Sequence, residues 1–200
     1  MKIVYNPAIK EYEVQYEKPK KEIKGVLPIP YEDQKRYRRI YVKNIDFING
    51  PGGLAFGEIW VMDNAVETAI GGTGAYVQFT GFVNNGQSNY TTPDHTQDHI
   101  IIDKAGVYLI VCSFHVESIG GGAADTVGIE IRKNNGTITF SNLHAHRKLA
   151  GGGGDIGSIS VSGLISVSKG DTIEVWITNE DNATNLLLED ADLSIIQIGG

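Results

Sequence analysis

The chain has 200 residues and a 41% hydrophobic fraction, enough for one packed domain with an appendage or for two small domains. Its 25 glycines, well above the usual share, suit tight turns between strands, and its one cysteine excludes any internal disulfide. The absence of any run of about 18 apolar residues excludes a membrane-spanning helix, and the start Met1-Lys-Ile-Val-Tyr-Asn-Pro7, with no apolar leader stretch, is read as a chain first used in a cytoplasm.

In chain order, the first part is basic. Residues 1–56 hold 11 Lys and Arg against 7 Asp and Glu, whereas residues 57–200 hold 6 against 17. Residues 1–24 are charged and alternating. Tyr12, Val14 and Tyr16 fall on one side of an extended segment and Glu11, Glu13 and Glu17 mostly on the other, which predicts one or two edge strands. Such a segment buries too little apolar surface to order itself and needs a partner surface. Val26-Leu-Pro-Ile-Pro-Tyr31 reads as extended, because Pro28 and Pro30 forbid a helix and bias their predecessors away from it. Glu32 to Arg39 is polar with short helical potential, and Ile40 to Ile48 alternates again. Asn49-Gly-Pro-Gly-Gly53 then breaks the chain and reads as a hinge, with residues 50–56 belonging to the connector.

From Gly57 the strand signals recur at the spacing of an all-β sandwich. The predicted strands are Glu58–Met62, Tyr76–Phe82, Ile100–Ile102, Gly106–Ser118, Thr126–Lys133, Gly136–Ser141, Asp155–Ser166, Thr172–Asn179 and Ala191–Ile198. The Asn135-Gly136 pair predicts a type I′ hairpin turn. Val107, Leu109 and Val111 share one face of their strand, with Tyr108, Ile110 and Cys112 on the other. A strand apolar on both sides is either central to a sandwich or wedged between a core and a subunit interface. Cys112 reads as a small buried hydrophobe.

Four segments in order resemble the C1q/TNF-like jelly roll. These are Ile101-Ile-Asp-Lys-Ala-Gly-Val-Tyr-Leu-Ile-Val-Cys-Ser-Phe114, Gly128-Ile-Glu-Ile-Arg-Lys-Asn-Asn-Gly-Thr137, Ser158 through Ser168-Lys-Gly-Asp-Thr172 to Ile177, and Ala191-Asp-Leu-Ser-Ile-Ile-Gln-Ile198. The likeness covers residues 75–198. Gly57-Glu-Ile-Trp60 resembles the lead-in to such domains in tailed-phage virion proteins. The resemblance implies a jelly-roll sandwich at residues 57–200, a homotrimer, and a virion structural role, with residues 1–56 as an extended basic anchoring arm and hinge. A collagen-like stalk is absent, and Leu193, Ile195 and Ile196 replace the aromatic ending of the animal C1q pattern.

Candidate chemistry is sparse. His95 and His99, with Asp94 or Asp98, and the pair His144 and His146 are candidate transition-metal ligands; the plainer reading is polar loop or interface residues. Asn179-Glu-Asp-Asn182 and Leu188-Glu-Asp-Ala-Asp192 are candidate Ca²⁺ loops but lack the twelve-residue pattern. Gly71-Gly-Thr-Gly-Ala75 and Gly151-Gly-Gly-Gly-Asp155 lack the Lys-Ser/Thr of a phosphate loop. No nucleophile motif is present, so no enzyme, cofactor or resident metal is expected. Lys35-Arg-Tyr-Arg-Arg39 is short and adjoins Glu32 and Asp33, which favours docking on an acidic protein surface over nucleic acid.

The expectation is therefore a phage virion protein assembled in the host cytoplasm, with no membrane partner. It is a trimeric capsid decoration, cement or short head-fibre protein, held to the major capsid protein or another virion protein through residues 1–50, with Tyr12, Tyr16, Tyr37, Arg38 and Tyr41 as anchoring residues. The alternative is a tail-fibre tip that binds a host receptor or surface glycan through Tyr90, Asn89 and Asp94.

Overall fold

The computed structural model of the chain describes residues 2–6, 11–15, 53–119, 124–151 and 155–200. It divides into two units, Met1–Gly53 and Leu54–Gly200. In the first unit, alternating charge and apolar side chains give β1 (Lys2–Asn6) and β2 (Glu11–Gln15), paired antiparallel with Tyr5 opposite Tyr12. The anchoring candidates Tyr16, Tyr37, Arg38 and Tyr41 and the joint at 49–52 lie outside the described residues.

The second unit is built only of strands among its described residues. Chain order gives β3 (Phe56–Val61), β4 (Glu67–Thr68), β5 (Val77–Gln78), β6 (Asn84–Asn85), β7 (Thr91–Asp94), β8 (His99–Ile102), β9 (Gly106–Ser118), β10 (Thr126–Lys133), β11 (Ile138–Lys148), β12 (Ile156–Val167), β13 (Thr172–Asn179) and β14 (Leu186–Gly199). One sheet runs β12-β9-β14-β3-β6, with β4 also on β14. The other runs β11-β10-β13-β8-β7, with β5 also on β13. All pairs are antiparallel, and the connections β9 to β10, β11 to β12 and β13 to β14 cross between the sheets, as a jelly roll requires.

Period-two patterning supplies the core. Tyr108, Ile110, Cys112 and Ile59, inward from the first sheet, are fully buried, as are Ile129, Ile131, Ile173 and Val175 from the second. Phe79 packs edge-on against Phe82 and Phe114 at 5.0 and 5.2 Å. Tyr76 to Phe82 is strand only at β5. Phe79 there turns inward and Gly81 lies against its ring, where a Cβ would stand 2.5 Å from it.

Two turns are fastened together at one end of the sandwich. Asn135 and Gly136 take φ of 56° and 73°, and the Thr137 amide donates to Asn134 O at 3.3 Å, as a type I′ turn requires. The buried Glu174 carboxylate accepts the Asn135 and Gly136 amides at 3.0 and 3.1 Å and the Thr172 hydroxyl. Across the same end, Lys133 Nζ and Asn134 Nδ2 donate to Asp171 at 2.8 and 3.0 Å.

The turn between β7 and β8 is strained and carries a buried acid. Asp98 has a φ of 54°, and its Oδ1 accepts the Phe82 amide at 3.0 Å. Burial pushes its carboxyl up to about 6 from the ordinary 3.8, against the opposing pull of the Phe82 amide. The folded state thus holds this proton more tightly than the unfolded chain. Its contribution to stability grows as pH falls through 6 and levels off below about 4. Urea unfolding at pH 5 should show about 1 kcal/mol more stability from this group than at pH 7.5, and Asp98→Asn should remove that increment.

Candidate self-association face

The outer face of the first sheet has two unlike halves. Register places Leu164 of β12 opposite Leu109 of β9, Leu109 opposite Ile196 of β14, and Ile196 opposite Phe56 of β3. Four adjacent strands thus present one apolar row, about 14 Å across at the usual strand spacing. It faces outward: Phe56 is 37% exposed, Ile196 39% and Leu164 50%, with Val111, next along β9, at 40%. Scattered exposed apolar side chains are ordinary, but an aligned row on a regular sheet is a candidate contact surface.

The next rows on the same face are mostly polar, with Val111 and Trp60 among them. Ser162, Val111, Ser194 and Glu58 align, then Ser160, Ser113, Asp192 and Trp60, then Ser158, His115 and Asp190. They form a groove of about 530 Å³ whose walls include Glu58, Trp60, His115, Asp190 and Asp192. Ser194 Oγ lies 2.9 Å from Asp192 Oδ1 and 3.5 Å from Glu58 Oε1. Burial, and then the neighbouring Glu58 charge, hold the Asp192 carboxyl above the ordinary range against the pull of the Ser194 hydroxyl. His115 Nδ1 stands 3.3 Å from Asp190 and 3.5 Å from Glu189.

The histidine pairs and the 179–182 acidic run singled out in the sequence fall elsewhere, whereas the 188–192 run lies on β14 and supplies Asp190 and Asp192 to the groove. His144 and His146 lie on β11, outside the predicted Gly136–Ser141 strand, because that strand continues to Lys148. Their rings are 5.4 Å apart, and His146 Nδ1 is 2.9 Å from Glu180. His95 contacts Asn85 Oδ1 at 3.1 Å, and His99 is opposite Asp94 in the β7–β8 pair. No group of three or more His, Cys, Asp or Glu is arranged to hold a metal among the described residues. The 179–182 run is a turn: Asn179 Nδ2 donates to Asp125 and Asn182, and Asp181 accepts from Thr126.

The sugar-binding trio is also dispersed in role. Tyr90 is 40% exposed, with Lys104 Nζ 5.6 Å from its ring centroid. Asn89 Nδ2, however, donates to Leu54 O at 2.9 Å, and Asp94 Oδ1 accepts from Thr96. Both polar partners are taken up by local structure. Tyr12 is on β2, in the first unit. The row Leu164–Leu109–Ile196–Phe56 was signalled in the sequence only through β9, whose two apolar faces left an interface open. The alignment of its partners depends on strand pairing, which periodicity alone does not give.

No protein-family model matches the chain, and no curated protein matches it. Among solved structures it is similar to murine APRIL at pH 5.0, at 14% identity and a TM-score of 0.49, over 72% of this chain and 99% of that one. It is also similar to Eiger TNF from S. frugiperda, at 12% identity and a TM-score of 0.53, over 73% of this chain and 93% of that one. The second likeness is one of fold: the sandwich is a TNF-like jelly roll.

Proposed function

We propose that the chain is a structural protein of a phage virion that works as a homotrimer, with the jelly roll as a displayed knob and residues 1–50 as its attachment to the major capsid protein or another virion protein. The observation that carries the reading is the exposed apolar row Leu164–Leu109–Ile196–Phe56, which runs unbroken across four strands of one sheet face with Val111 beside it. Covering it removes the remaining exposed apolar area from water at roughly 25 cal/mol per Å², which a closed ring of copies realises. Two further features support it. Charge is split between a basic first part and an acidic second part, as suits one attaching end and one displayed end. Gly57-Glu58-Ile59-Trp60 resembles the lead-in to phage virion jelly rolls, and in this chain it opens β3 of the association face. The reading assigns no reaction and no cofactor to the chain; its location is the virion.

Light scattering and virion co-sedimentation test it together. The full chain should run as a trimer and sediment with virions of the phage that encodes it. A chain lacking residues 1–50 should keep the trimer mass and stay in the supernatant. A monomeric full chain, or a truncated chain that still decorates particles, overturns the proposal.

A further inference from the structure

The polar half of the association face is an acidic groove that the apolar row does not explain. Glu58, Asp190 and Asp192 line it, and the only cation-capable side chain in its walls, His115, already stands between Glu189 and Asp190. Trp60 lies in the same groove. Carboxylates beside an indole face suit a guanidinium: it is planar, weakly hydrated, and binds both the charge and the ring.

A guanidinium is presented on the wall of the sandwich. Among the described residues β11 pairs only with β10, and β12 only with β9, so these two strands form one side of the unit. Arg147, on the inward register of β11 with Leu143 and Leu149, does not enter the core. It crosses to β12 over Gly157, where an added Cβ would stand 2.7 Å from Arg147 Nε. Glycine at that position leaves room for the side chain to lie across the wall. Arg147 is exposed, and no ion pair engages it among the described residues.

The geometry points to a second copy of this chain as the occupant of the groove: Arg147 of one copy seats against Glu58, Asp192 and Trp60 of the next. The inference rests on the self-association reading above. It adds the residues that fix the head-to-tail contact of such a ring: donor and acceptor are different patches of one surface, Arg147 on the wall and the acidic groove on the face. Such a contact closes into a ring when the rotation fits and otherwise grows into a filament. The apolar row supplies the area, and the Arg147 contact sets the register between copies, as complementary charges do.

A charge swap in the full chain tests this by sedimentation equilibrium, with circular dichroism to confirm folding. Arg147→Glu and Glu58→Arg should each raise the dissociation constant at least about tenfold, and the double variant should return to within about threefold of the parent. Arg147→Gln, which keeps the stem over Gly157, should weaken assembly without affecting the fold. Raising salt from about 0.1 to 0.5 M should weaken the parent more than Arg147→Gln. A parent that assembles while Arg147→Glu and Arg147→Gln assemble equally well overturns this inference alone. So does a double variant no tighter than its weaker single. A parent that is monomeric under all conditions overturns both this inference and the self-association reading.

Discussion

Leu109→Arg will convert the assembled chain to folded monomers. Leu109 is central in the apolar row, with Leu164 on one flank and Ile196 on the other. Its side chain points away from the core, which is filled on that strand by Tyr108, Ile110 and Cys112. The arginine is therefore solvated in the monomer, where a surface change costs within about 0.5 kcal/mol. In the assembly it is an unpaired charge within an apolar contact, which costs about 3 kcal/mol or more. At about 1.4 kcal/mol per tenfold, the dissociation constant rises at least about 100-fold. Sedimentation velocity reads the shift, and the melting of the monomer serves as the control. Leu109→Met should assemble like the parent, since volume and polarity are kept. Val66→Arg, at a side chain 72% exposed outside the row, should also leave assembly unchanged. An assembly that tolerates Leu109→Arg would place the contact elsewhere.

The largest loss of stability is expected at Glu174→Ala. This carboxylate is fully buried and accepts three donors: the amides of Asn135 and Gly136 and the hydroxyl of Thr172. Truncation strands these donors at a half-buried turn, each at roughly 1–3 kcal/mol unless water reaches it. It also loosens the turn that Lys133 and Asn134 tie to Asp171. A destabilisation of about 3 kcal/mol is expected, which lowers the melting temperature by roughly 6–12 °C for a unit of this size. Glu174→Gln should lie between, because its amide keeps one acceptor oxygen and turns two donors toward other donors. Differential scanning calorimetry of the three chains decides the order. Equal melting of Glu174→Ala and the parent would show that the turn holds without its carboxylate.

The strands were legible where packing obeyed a simple period. Gly106–Ser118, Thr126–Lys133 and Thr172–Asn179 stand where alternation and the Asn135-Gly136 turn put them. The two-residue strands β4 and β6 left no trace, since two residues carry no period. β7 was hidden by Pro93, which sits there on an edge strand, where its missing amide donor costs least. β11 ran seven residues past its expected end because Asn142, His144 and His146 face solvent on an edge strand and dilute the apolar signal.

The site was half legible. Two apolar faces on β9 announced either a core or an interface, and the distinction depended on which strands flank it. The acidic groove was visible in the sequence only as the run Leu188–Asp192: Glu58 lies more than 130 positions from Asp192 and joins it solely because β3 pairs with β14. Arg147 looked like an ordinary surface charge. Its exit over Gly157 depends on a close approach between two sheets that no local pattern encodes.

Phe56 belongs both to the apolar row and to the first strand of the jelly roll. Any assembly that covers the row therefore gathers the points at which the preceding segments join their knobs. On the proposed attachment through residues 1–50, segments tethered so close together would act on a shared surface as one polyvalent ligand. After the first has bound, the others search a volume set by their tether rather than by the solution, at an effective concentration of order millimolar. Contacts too weak to hold one chain then hold the assembly, by about 10²–10⁴-fold. Attachment becomes sensitive to the number of copies rather than to the strength of any one, so a loss of assembly would read, in a particle-binding experiment, as a loss of the attaching segment itself.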